Sequence, residues 1–166
     1  MECVLAFALM WKDEKYLIQV ENHLKRFYGD FILGSEVFEP PFSKYYYEEM
    51  GKPLFKKFIA TDFLTTHTCL AGIKKHTIFI EDKYRIKGKR TVNIDPILVD
   101  IEKVIVATTK YRGNRVKIDE NLYMEIELWF HNKKFTPFPW TYIDYSQNST
   151  FFENVRKKLK KMKNRG

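Results

Sequence analysis

The run Cys3 to Trp11, CVLAFALMW, carries no charge, amide or hydroxyl over nine consecutive positions. A strand with one wet face alternates polar and apolar residues, so an unbroken apolar run of this length reads as a strand covered on both faces. It is far too short to span a bilayer, and the N-terminus shows neither the basic region nor the cleavage site of a secretory signal. A cytoplasmic protein is expected. With two widely spaced cysteines, Cys3 and Cys69, no disulfide-linked partner is expected.

The next segments of the chain supply cover for this run. Asp13 is placed to cap a helix through Tyr28, with Leu17, Val20, Leu24 and Phe27 on one face and Gly29 as its stop. Phe31 to Phe38 and Leu54 to Phe63 read as strands. A helix is predicted from near Thr68 to Tyr84, with Ile73, Thr77, Ile80 and Tyr84 on one face. Between them, Ser43 to Gly51 (SKYYYEEMG) fits a short helix or an ordered loop. Arg90–Asp95, Lys103–Thr109 and Arg115–Ile118 read as strands. Leu122 to Phe130 alternates, with Leu122, Met124, Ile126, Leu128 and Phe130 on one face; Glu125 and Glu127 on the other are most simply its wet side. Asn132–Lys133 suggests a hairpin turn. Thr150-Phe-Phe-Glu153 has the spacing of a capping box before a closing helix with Phe151, Val155, Leu159 and Met162 as its apolar stripe.

Strands mixed with about three helices predict a single α+β domain with a mixed or antiparallel sheet and a ferredoxin-like core. Residues 1–148 would form its body, and 149–166 a basic amphipathic helix packed on it. The net charge of +8 belongs mostly to that helix: Arg156, Lys157, Lys158, Lys160, Lys161, Lys163 and Arg165 leave 22 Lys+Arg against 21 Asp+Glu in the rest. Basic character is thus a C-terminal property, suited either to RNA or partner binding or to a solvated face. Heavy Lys and Ile use with little Gln fits a thermophile's composition.

Several chemistries lack their motif. Gly29 to Ser35 (GDFILGS) is the nearest string to a P-loop and has no Lys. No GxGxxG or GxSxG occurs. His23, His67, His76 and His131 show no HxxxH, HxxE or HxT spacing, and no CxxC is present, so no local zinc-binding motif exists.

Polar residues concentrate elsewhere, in YYYEEMG (45–51), around Asn93 and Asp95, in Thr108-Thr109-Lys110 with Arg115, and in PWTYIDY (139–145). Hydroxyls, a point-charge Lys and a forked Arg suit a phosphate or carboxylate. Lys110 and Arg115 would hold the anion, with Thr108, Thr109 and Asp144 among the ligand-binding groups. Asn93 and Asp95 would orient a hydroxyl or metal, Tyr142 would contribute a hydroxyl, and Tyr46 or Trp140 would stack a base. Asp95, Glu49 and Glu125 are the candidate catalytic carboxylates, and Asp95 and Glu49 the candidate Mg²⁺ ligands beside a substrate phosphate. A third reading, ranked below this site and below binding by the basic helix, takes the same strings as packed hydrogen-bond networks of a structural or partner-binding domain.

In order, SEVFEPPFSKYYYEEMG, VNIDP, VIVATTKYRGNRVKI, LYMEIEL and PWTYIDY resemble the prokaryotic domain of unknown function 4416 family, over nearly the whole chain to Tyr145. The resemblance implies a single-domain prokaryotic protein with no established activity. Its pattern falls on Glu36, Tyr46, Glu49, Met50, Gly51, Asn93, Asp95, Pro96, Thr108, Thr109, Lys110, Arg115, Tyr123, Glu125, Pro139, Trp140, Thr141, Tyr142, Asp144 and Tyr145. This chain departs from it at Ile97, where the family has Gly, at Asn114, where it has His, and at Ile143, where it has Pro. The missing His removes one general base, and Ile97 argues against a tight backbone approach there. The reading that results is a site for a phosphate-bearing ligand, a nucleotide or an RNA end, assisted by Mg²⁺; the alternative is a non-catalytic RNA- or partner-binding module using the basic helix.

Overall fold

In the computed structural model, which describes residues 1–166, the apolar run becomes a strand in which no residue from Cys3 to Trp11 is more than 5% exposed. The chain runs β1 (Glu2–Trp11), α1 (Glu14–Tyr28), β2 (Phe31–Gly34), α2 (Lys44–Met50), β3 (Phe55–Thr66), α3 (Leu70–Lys83), β4 (Val92–Val99), β5 (Lys103–Thr108), β6 (Val116–Asp119), β7 (Leu122–His131), β8 (Lys134–Pro137), α4 (Ile143–Gln147) and α5 (Ser149–Lys163). A short 3₁₀ turn, His67–Cys69, leads into α3.

All strand pairs are antiparallel, in the order β2-β3-β1-β4-β5-β7-β6, with β8 also on β7. The first four strands with α1 and α3 make the β-α-β-β-α-β order of a ferredoxin-like core. Alternation along β1 sets the two layers. Cys3, Leu5, Phe7, Leu9 and Trp11 meet α1 and α3, whereas Val4, Ala6 and Ala8 lie under α5 with Phe58, Phe152, Val155 and Leu159. Helix α1 ends where expected: Gly29 has φ +81°, and a Cβ there would collide with the Asp62 carboxylate.

The single α+β domain has five α-helices rather than about three. The extra two are short: α2 takes the helical alternative for the tyrosine-rich string 43–51, and α4 begins within PWTYIDY at Ile143. Glu153 does not close a capping box; its Oε1 accepts from the Phe135 backbone N–H of β8 at 3.2 Å. The wet-face expectation for Glu125 and Glu127 is overturned, since they are 1% and 0% exposed. A register shift opposite Val104/Ile105 leaves Glu127 as the extra residue of a bulge, and β7 is covered on both faces.

Two discontinuities in the sheet position the site. Strands β4 and β5 pair only from Ile97 to Val99 against Val104 to Val106, then part. The freed edge of β4 is satisfied from α3: Ile94 N–H donates to Glu81 Oε2 at 2.7 Å, and Lys74 Nζ donates to Ile94 O at 3.3 Å. On the outer edge of β7, β6 covers Leu122–Met124 and β8 covers Leu128–His131. Between them the Trp140 indole N–H donates to Ile126 O at 2.9 Å and the Thr141 hydroxyl donates to Glu127 O.

Candidate functional site

Where β4 and β5 part, a cleft of about 650 Å³ opens. Helix α2 supplies Tyr45, Tyr46 and Glu49 as one wall, because Met50 anchors it against Met10 and Leu54 and turns its tyrosines inward or to the rim. The end of β5 and its turn supply Thr108, Thr109 and Lys110. Tyr142, Asp144 and Tyr145 come from the start of α4, and Asn93, Asp95 and Lys56 lie on the sheet.

Ten of the twelve residues expected from sequence line this cleft: Glu49, Asp95, Tyr46, Asn93, Thr108, Thr109, Lys110, Arg115, Tyr142 and Asp144. Trp140 and Glu125 do not. The Trp140 ring stacks on Phe138 with centroids 4.7 Å apart and planes at 4°, and its N–H fills the β7 edge. Glu125 lies beneath the cleft, its Oε2 accepting from Arg115 Nε at 2.6 Å and from Asn114 Nδ2 at 3.0 Å.

Polar side chains form one connected line across the cleft. Arg90 donates to both Glu49 oxygens, with Nη2 to Oε1 at 2.8 Å, and its Nη1 donates to Asn93 Oδ1 at 2.7 Å. Asn93 Nδ2 donates to Asp95 Oδ2 at 3.1 Å, and Lys74 Nζ donates to Asp95 Oδ1 at 3.1 Å. On the far side Lys56 Nζ donates to Asp144 Oδ2 at 2.6 Å. Glu49 and Asp95, the expected Mg²⁺ ligands, are thus separated by the Arg90–Asn93 pair and each is bonded to a cation.

These neighbours fix protonation. Burial pushes the Asp95 carboxyl up, but Lys74, Lys56 and the bonds from Lys74 and Asn93 outweigh it and hold it below the ordinary carboxylate range. The hydrogen bond from Arg90 holds Glu49 low as well. Glu81, buried behind the split, is raised to about 7 by desolvation. Burial raises the Tyr46 hydroxyl far above its usual value, with the charge of Asp95 adding to it.

Lys56, Lys74, Glu81 and Arg90 were missed from sequence. Lys74 and Glu81 had a signal: they are seven apart on α3 and flank its apolar stripe of Ile73, Thr77 and Ile80, where ionisable residues are out of place. Lys56 and Arg90 sit at strand ends and carry no such mark.

No helix is long and apolar enough to cross a membrane, and both cysteines are free. No curated protein and no solved structure matches the chain. The family model described as Domain of unknown function (DUF4416) matches residues 1–159, which take in every element of the cleft, and the chain belongs to that family.

Proposed function

We propose that the cleft binds a small phosphate-bearing ligand, a nucleotide or an RNA end, with Mg²⁺ entering on the ligand's own phosphates. The observation that carries this reading is Lys110. Its ammonium lies 3.7 Å from the Tyr45 ring centroid on the exposed rim and forms no ion pair, whereas Lys56, Lys74, Arg90 and Arg115 are each matched to a carboxylate. An incoming phosphate meets that ammonium beside the hydroxyls of Thr108 and Thr109. The faces of Tyr45 and Tyr46 are then available to a base. Asp95, held ionised, is suited to a ribose hydroxyl or a phosphate-bound Mg²⁺.

Thermal-shift and calorimetric titration with nucleotides, pyrophosphate and short RNA, with and without Mg²⁺, tests this. Lys110→Ala is expected to weaken binding about tenfold or more, the loss of one charge-assisted contact of about 1.5–3 kcal/mol. Stability should change by no more than about 0.5 kcal/mol, since the residue is exposed. Absence of any shift with all these ligands rules the reading out.

A second reading, RNA or partner binding by α5, is favoured by one observation. Lys157, Lys158, Lys160 and Lys161 are exposed and none forms an ion pair, while Phe151, Phe152, Val155 and Leu159 are buried. Deleting the helix would remove core, so charge reversal is the clean test. Changing the four lysines to Glu should leave the melting temperature near wild type and flatten the salt dependence of RNA binding, by about 0.7–0.9 in log–log slope per lost phosphate contact. An unchanged slope excludes this surface.

A further inference from the structure

At the end of the sheet away from the cleft, three side chains of different chemistry converge. Cys3 Sγ lies 3.5 Å from His67 Nε2, and His67 Nε2 lies 2.9 Å from Asp100 Oδ2. All three ligand atoms fall within 4.8 Å of one another. The same imidazole nitrogen faces both the sulfur and the carboxylate, so this is not a relay through the two ring nitrogens of a histidine. It is a convergence on one point.

Sheet pairing creates it. Cys3 pairs with Thr65 and Val4 with Val99, so the turn after β3 and the turn after β4 flank the start of β1 on either side. Asp100 is aimed as well as placed. Its Oδ1 accepts the backbone N–H groups of Glu102 and Lys103 at 2.6 and 2.8 Å, leaving Oδ2 turned to His67. Such outer bonds are what orient a metal-binding carboxylate.

We propose that Cys3, His67 and Asp100 form a binding site for a divalent first-row metal of the zinc class. Ligand lengths of about 2.3 Å to sulfur and 2.0–2.1 Å to nitrogen at a tetrahedral angle put the two atoms roughly 3.5 Å apart, the separation seen between Cys3 and His67. The His67–Asp100 pair has only to open by about half an ångström from its hydrogen-bonded distance to reach the corresponding value. Thiolate and carboxylate together balance the charge of the ion, and the mixed S, N, O set suits zinc over Mg²⁺ or Ca²⁺. Cys3 and Asp100 are fully buried, but the His67 side chain is 30% exposed, so ions and a fourth, water ligand have access along that side. Binding releases the Cys3 thiol proton to solvent, and the proton that His67 Nε2 shares with Asp100 moves to Nδ1, which leaves the Nε2 lone pair to the metal. Lys103 is the competitor: its Nζ holds Asp100 Oδ2 at 2.9 Å and must swing out, which its partly exposed side chain permits.

The test is titration of tag-free, chelator-treated full chain with Co²⁺, read by absorption, then displacement by Zn²⁺. The expected result is one equivalent bound, with a near-ultraviolet thiolate-to-cobalt band and the visible bands of four-coordinate Co²⁺. Cys3→Ala should abolish the thiolate band and His67→Ala should weaken binding by more than about tenfold. Cys69→Ser should leave both unchanged, and Lys103→Ala should tighten binding. Absence of a thiolate band in the wild-type chain overturns the proposal, whatever the folding of the variants. So does a band that survives Cys3→Ala and disappears in Cys69→Ser.

Discussion

Replacing Arg115 with Ala is expected to cost about 3–5 kcal/mol of folding stability at neutral pH. The side chain is 1% exposed and ties three segments together: Nε donates to Glu125 Oε2 at 2.6 Å, Nη1 to Lys110 O at 2.7 Å and Nη2 to the Tyr142 hydroxyl at 2.9 Å. Without it, the fully buried Glu125 loses its only cationic partner and keeps Asn114 and the protonated Glu127 as its remaining donors. Set against a typical total of about 5–15 kcal/mol, this is a large fraction, and a fall in melting temperature of about 10 °C should result. Arg115→Met combined with Glu125→Gln should recover part of the loss, because no buried charge is then left unmatched. A cost below about 1 kcal/mol for Arg115→Ala would show that Glu125 takes up a proton freely and that the pair does not hold the 110–115 turn. The contrast with Lys110 separates the two roles: Lys110→Ala should affect binding alone, whereas Arg115→Ala should affect folding first.

Glu127 should make the protein lose stability as pH rises. Burial, then the hydrogen bond and charge of Glu125, raise its carboxyl to about 9, while Glu125 itself stays low because its bonds to Glu127 and Arg115 outweigh its own burial. Glu125 Oε1 and Glu127 Oε1 are both buried and accept from no N–H or hydroxyl, as expected of two carboxyls sharing one proton. Between the ordinary value of 4.5 and about 9 the native state therefore holds a proton that the unfolded chain has released. The native form binds more protons, so stability is fully present below that window and declines through it. Glu81 acts with the same sign only up to about 7, so the decline on the limb from there to about 9 comes from Glu127, against an opposite contribution from the exposed Cys69 thiol, held below its ordinary value by hydrogen bonds from Thr65 and Thr66. Glu127→Gln mimics the protonated carboxyl. It should flatten that limb and, at pH 8, stabilise the protein by about 2–4 kcal/mol, each tenfold change in proton affinity being worth about 1.4 kcal/mol. Urea unfolding at several pH values reads this directly; an unaltered slope in the variant would place the shared proton elsewhere.

What the sequence determined by itself was periodic. The unbroken apolar run fixed β1 as doubly covered, helical spacing fixed α1, α3 and the stripe of α5, except that Tyr28 and not Phe27 completes the buried face of α1, and the order of these elements sufficed for a ferredoxin-like α+β domain. The polar strings were legible as local concentrations of residue type, but that ten of their residues from Tyr46 to Asp144 line one cleft is a fact of the fold that spacing does not encode. Tertiary structure decided everything that depends on where the sheet breaks. A period-two pattern places Glu125 and Glu127 on a wet face, and one extra residue in a bulge, with cover on both sides, buries them. Nothing in local spacing reveals that β4 and β5 part after a few pairs, so although Lys74 and Glu81 stand out beside the apolar stripe of α3, the bare strand edge they reach to satisfy does not show in the sequence. The same holds for Cys3, His67 and Asp100. They are separated by 64 and 33 positions and converge only because two long-range strand registers, β1 with β3 and β1 with β4, bring the ends of β3 and β4 beside the start of β1. Spacing along a chain encodes neighbours within a turn or a strand; contacts made across strands are set by register, which is fixed only when the whole sheet has formed.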